Sequence, residues 1–220
     1  DRFVPEHLDC RLAALRPRLV ELDADILCLQ EVNAQKPKGQ RIRNFKALDL
    51  LLAETPYANY HRALGLRPDL AGPSDRHNLL ILSRYPIEQT SVLHHARVRA
   101  PLWLPGSQDH DGAHPAPVLF DRPILHVRLD IGGPKPLHVF AVHLRAPIAA
   151  AIAGGKLSAT SWKTTEAWAE GYFLSSVKRT AQALDLRLAV DALLDREPGA
   201  LIAVAGGVSA TGDRSGVRFL

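Results

Sequence analysis

A short apolar run ending in a carboxylate constrains this chain most: Asp23-Ala-Asp-Ile-Leu-Cys-Leu-Gln-Glu-Val-Asn33. Ile26, Leu27, Cys28 and Leu29 are consecutive apolar residues, which predicts a strand buried on both faces rather than a half-exposed one. Glu31 then stands where that strand emerges. In an α/β sheet the strand ends line the ligand crevice, so a carboxylate there faces a metal or a substrate from a rigid platform.

Two further stretches share the pattern of an apolar strand running into small or polar residues: Leu137-His-Val-Phe-Ala-Val-His-Leu144, and Ala200 to Asp213 with Gly206-Gly207-Val208-Ser209-Ala210 at its exit. Between them and the first lies Asn78-Leu-Leu-Ile-Leu-Ser-Arg-Tyr-Pro-Ile87. Three strand ends are thus expected on one rim. The order and spacing of Leu29-Gln30-Glu31, Ser83-Arg-Tyr-Pro-Ile87 and the strand ending in His143-Leu144 resemble the endonuclease/exonuclease/phosphatase superfamily over nearly the whole chain.

That resemblance implies an α/β sandwich, two mixed β-sheets packed face to face with helices outside, formed by residues 1–220 as a single domain. It implies a divalent-metal-dependent phosphoesterase in which Glu31 binds Mg²⁺ or Mn²⁺ and His143 contacts the scissile phosphate or serves the leaving group. An imidazole, with an unperturbed pKa of about 6.5, can donate or accept a proton at working pH. Asn78, Arg145 and Ser209 are the expected substrate contacts, and the substrate is a phosphate ester, nucleic acid included.

The third strand end departs from the pattern. The family carries Gly-Asp-Phe-Asn-Ala there, its Asp orienting the attacking water and its Asn holding the phosphate, whereas this chain has Gly207 and Ser209 at those places. Gly207 has no side chain to act as a base, and Ser209 lacks an amide donor. Asp213 lies six residues past Gly207 and is the candidate replacement base if the loop folds back. The family's opening strand with its Asn and its closing Ser-Asp-His are not found. Either the sequence omits terminal segments or the protein has lost chemistry while keeping the scaffold. An active or impaired hydrolase and a non-catalytic binding module for phosphorylated ligands or nucleic acid are therefore the alternatives, the module drawing on Lys36, Lys38, Arg41 and Arg43 in the loop after Glu31.

Charge agrees with an anionic partner: 27 Lys and Arg against 23 Asp and Glu give a net +4 and a pI near 9.3. Cys10 and Cys28 form no CxxC pair and leave room for one bridge at most. No apolar run approaches the roughly 20 residues of a membrane-spanning helix, and no secretory pattern opens the chain. A soluble protein, cytoplasmic or secreted after processing, is expected. With no methionine at all, the sequence reads as trimmed.

In chain order, Leu8, Leu12, Leu15, Leu19 and Leu22 predict a helix that Pro17 bends or restarts. Phe45, Leu48, Leu51 and Leu52 predict a second helix closed by Thr55-Pro56, and Tyr57 to Arg62 a short strand. Pro101 to Pro117 reads as a loop, and its Asp109, His110, Asp111 and His114 are an alternative metal-binding group. Segments 123–130 and 137–143 flank Gly132-Gly133-Pro134 as an antiparallel hairpin. Ala146 to Gly155 reads as a connection over the site. Trp162, Trp168, Tyr172 and Phe173 are expected to pack a helix, with a substrate lid as the alternative. Val177, Ala181, Leu184, Leu188 and then Leu193-Leu194 mark a long helix stopped by Pro198-Gly199, before a last strand at Leu201 to Ala205.

Overall fold

A computed structural model of the chain describes residues 5–67, 72–107 and 114–208. They form two compact units: Asp1–Val92, Pro123–Ala141 and Ala200–Ala205 make the first, and Leu93–Arg122, Val142–Gly199 and Gly206–Leu220 the second.

The first unit opens with α1 (Pro5–Leu22), β1 (Ile26–Val32) and α2 (Lys46–Leu52). A 3₁₀ turn at Pro56–Asn59 leads into β2 (His61–Leu64), β3 (Asn78–Ser83) and β4 (Ile87–Leu93). One sheet runs β1-β3-β2, with both pairs antiparallel. A two-stranded piece pairs β5 (Leu102–Trp103) with β6 (Ala116–Pro117). The larger sheet runs β4-β7-β8-β9, built with β7 (Ile124–Leu129), β8 (Leu137–His143) and β9 (Leu201–Gly207). The expected hairpin is there as β7 and β8, antiparallel from Leu125 opposite Ala141 to Leu129 opposite Leu137.

Alternation along the strands builds the layers. Ala63, Leu79 and Ile81 from the first sheet meet Leu125, Val127, Leu129, Val139 and Ala141 from the second in one buried cluster, with Ile26 and Cys28 against it. On the other face of the first sheet, Leu80 and Leu82 pack with Phe45, Leu48 and Leu52 around α2, and Leu19 of α1 joins them. The architecture is the expected α/β sandwich, sheet on sheet with helices outside. All of β3 is buried because it is the central strand with both faces covered.

Several local expectations change. β1 has both faces covered but lies at the sheet edge, so its residues are half-buried rather than fully buried. α1 runs through Pro17 as one helix. Tyr57 lies in the 3₁₀ turn instead of a strand, because Pro56 fixes φ for a first turn and the tyrosine hydroxyl accepts from the Ala24 N–H at 3.0 Å. Both cysteines are free thiols, and burial pushes Cys28 up to about 11, which makes it an inert core residue. Among the described residues no helix is long and apolar enough to cross a membrane.

The second unit is organised on α3 (Thr165–Arg196), which starts a dozen residues before the predicted apolar stripe. Thr164 caps it, its hydroxyl accepting from the Ala167 N–H at 3.1 Å. Of the stripe the sequence suggested, only Leu193 is buried. Val177, Ala181 and Leu184 are half-buried and Leu188 is exposed, while Gly171, Ser175, Arg179, Gln182, Ala183, Asp185 and Leu186 are buried. Trp168, Tyr172 and Phe173 ride on the helix but stay largely exposed.

The polar buried residues tie loops to the helix. Asp185 accepts from the backbone N–H groups of Ala96, Arg97 and Val98 at 3.2, 2.6 and 2.7 Å. Ser175 donates to the Ile148 carbonyl, and Gln182 to that of Arg122. Asp185→Asn keeps the shape but replaces one acceptor oxygen with a donor that faces N–H groups. The expected loss is about 2 kcal/mol of unfolding free energy, read by urea denaturation. A change under about 0.5 kcal/mol would mean that the loop is held by something else.

Candidate functional site

In the first unit the site grows out of a bulge. Leu29 pairs with Leu80 and Val32 with Asn78, so Gln30 and Glu31 together stand opposite Leu79. Glu31 takes φ 55°, a left-handed conformation that costs a non-glycine residue on the order of 1 kcal/mol. Its side chain is 61% exposed. His77, just before β3, also has a left-handed φ of 60°, and its Nδ1 is 3.6 Å from Glu31 Oε1. Two strained residues thus face each other across the β1–β3 exit.

Asn78 holds that geometry. Its Nδ2 donates to the Val32 carbonyl at 2.7 Å and the Ser74 carbonyl at 2.9 Å, and its Oδ1 accepts from the Ser74 N–H at 2.8 Å. The residue is 3% exposed. Its amide therefore binds the end of β1 to the 72–77 loop.

In the second unit β8 ends at His143, which is buried. The Leu144 N–H donates to the Gly207 carbonyl at 2.9 Å, so the end of β9 lies alongside His143-Leu144. Gly206 takes φ 151°, and a Cβ there would fall 1.7 Å from the Val142 carbonyl oxygen. Gly207 thus presents a bare backbone beside the strand end that carries His143.

Arg145 continues from the same strand into an ion-pair cluster. Its Nη1 lies 2.9 Å from Asp121 Oδ2, its Nε donates to the Ser175 hydroxyl, and Lys178 Nζ lies 2.7 Å from Asp121 Oδ1. Burial pushes the Asp121 carboxyl up, but the Lys178 hydrogen bond and the charges of Lys178, Arg145 and Arg122 outweigh it and hold the group below the usual carboxylate range. Ser209 and Asp213 lie outside the described residues, as do Asp109, His110 and Asp111.

Sequence reasoning missed His77, Asp121 and Lys178. His77 carried a signal, a titratable residue directly before the buried strand. Asp121 and Lys178 come together only through the fold.

For a metal the donor set is spare. Among the described residues no group of three or more His, Cys, Asp or Glu side chains gathers. Glu31 still fits a hard cation of the Mg²⁺ type, which takes one or two carboxylates and fills its other positions with water and substrate oxygens.

The fold is similar to truncated TDP2 from Caenorhabditis elegans, at 18% identity and a TM-score of 0.52, over 93% of this chain and 57% of that one. It is also similar to ANGEL2, a 2′,3′-cyclic phosphatase, at 15% identity and a TM-score of 0.50, over 92% of this chain and 44% of that one. This chain therefore spans about half the length of these structures. No curated protein matches the sequence. Residues 4–213 match the Endonuclease/Exonuclease/phosphatase family, and the chain belongs to that family.

Proposed function

We propose that this chain is a phosphoesterase domain dependent on Mg²⁺ or Mn²⁺, acting on phosphate esters, nucleic acid among them, with low intrinsic turnover. The observation that carries the reading is Glu31, an exposed carboxylate held in a strained bulge at a strand end, in a chain of this family. Bound at Glu31, the cation would supply charge neutralisation and an activated water. The protein's own residues do the rest. His143 protonates the leaving oxygen or holds the phosphate, and Arg145 and Ser209 contact the substrate. Asn78 keeps the Glu31 bulge in place, and Asp213 substitutes for the base that Gly207 does not provide.

Glu31→Gln removes the charge and keeps the side-chain shape. Calorimetric titration with Mn²⁺ should show affinity reduced at least about tenfold, one charge-assisted ligand contact being worth about 1.5–3 kcal/mol. Equal affinity in both proteins would remove Glu31 from the metal assignment.

The second reading, a module that binds phosphorylated ligands without hydrolysing them, is favoured by one observation: the bare Gly207 backbone beside His143. Retained binding of a phosphate ester with no turnover under saturating Mn²⁺ selects it.

A further inference from the structure

The second unit carries an open surface depression of about 450 Å³, within the size range of small-molecule sites. One wall is a stripe of α3, Glu166, Glu170 and Phe173, and the other is the 103–107 loop with Trp103, Gly106 and Ser107. Glu170 fixes the loop. Its Oε1 accepts from Trp103 Nε1 at 2.8 Å and the Gly106 N–H at 2.7 Å, and its Oε2 from the Ser107 N–H at 3.0 Å and hydroxyl at 2.6 Å. Burial raises the Glu170 carboxyl, but these four donors outweigh that and hold it below the usual range, so the charge is present at neutral pH.

We propose that this depression binds a small organic cation, an alkylammonium group, by cation–π contact with Trp103 and Phe173 and by the charge of Glu166, with Glu170 holding the loop that carries Trp103. Three features favour that chemistry over a neutral apolar ligand. The Trp103 and Phe173 rings pack with centroids 4.9 Å apart and planes tilted by 47°, so two aromatic groups line the same depression. The indole N–H donates to a carboxylate, which pushes electron density onto the ring face and locks the ring before any ligand arrives. Glu166 and Glu170 stand four residues apart on the helix, a like-charge spacing that a bound cation relieves. The site is independent of the Glu31 and His143 chemistry, so either reading stands or falls without the other.

The test is calorimetric titration with tetramethylammonium chloride at constant ionic strength, against sodium chloride and the neutral tert-butanol. Saturable binding of tetramethylammonium is expected, about tenfold tighter than tert-butanol. Glu166→Gln, an exposed change that leaves the Glu170 bonds intact, should weaken it about three- to tenfold. Trp103→Leu should weaken it at least tenfold, while Trp103→Phe, which keeps an aromatic face, retains part of it. No saturable heat beyond the sodium control, equal affinity for tert-butanol, or unchanged binding in Glu166→Gln would each overturn the proposal.

Discussion

Gly207→Asp combined with Ser209→Asn is expected to raise Mn²⁺-dependent hydrolysis of bis-p-nitrophenyl phosphate by about 10²–10⁴-fold, the usual contribution of a positioned general base. Backbone φ does not oppose the first change. Gly206 occupies the left-handed region, but Gly207 does not, so an aspartate at 207 needs no strained φ. The Leu144 N–H to Gly207 carbonyl bond places residue 207 alongside the strand end carrying His143, and a carboxylate there would be attached to a paired strand, not a loose loop. The Ser209→Asn half restores an amide donor for developing phosphate charge. Robust turnover by the unaltered chain would mean that another group, Asp213 foremost, already supplies the base. No gain in the double variant, with Mn²⁺ binding intact, would assign the scaffold to binding alone.

The sheets were legible in the sequence because strand periodicity and burial agree. The apolar run Leu79 to Leu82 is the fully buried centre of its sheet, and the Gly132-Gly133-Pro134 breaker joins the paired strands β7 and β8. The long helix was legible in its end but not in its face. α3 buries Ser175, Arg179, Gln182 and Asp185 among Ala167, Gly171, Ala183, Leu186 and Leu193, so polar and small residues interrupt its inward face and blur the apolar period of 3.6. The apolar stripe therefore marks mainly half-buried and exposed positions of α3, and Trp168, Tyr172 and Phe173, expected to pack a helix, lie on its first turns as exposed side chains.

Glu31 and His143 stood out as candidates in the sequence because each ends an apolar strand. The bulge that aims Glu31 did not, since Leu-Gln-Glu-Val contains none of the glycine or asparagine that usually takes a left-handed φ. Arg145 was expected at the substrate, and the structure shows it paired with Asp121, a partner 24 positions away that no local pattern announces.

The largest stability effect is expected at Gly206. An alanine there would put its Cβ 1.7 Å from the Val142 carbonyl oxygen and 2.8 Å from its carbon, and both are backbone atoms of the neighbouring strand that cannot rotate aside. The residue would also have to hold φ 151°, which side chains rarely tolerate. Strain of about 1–3 kcal/mol and overpacking of about 1–3 kcal/mol act together, so Gly206→Ala should lose about 2–6 kcal/mol in urea denaturation. Relief requires β9 to draw away from β8, and that separation would stretch the Leu144 to Gly207 bond beside His143. Backbone amide exchange at Leu144 should therefore accelerate more than the global loss accounts for. A destabilisation below about 1 kcal/mol, with Leu144 still protected, would show that β9 has room for a side chain at this crossing. The close approach of the two strands would then not be what requires glycine at 206.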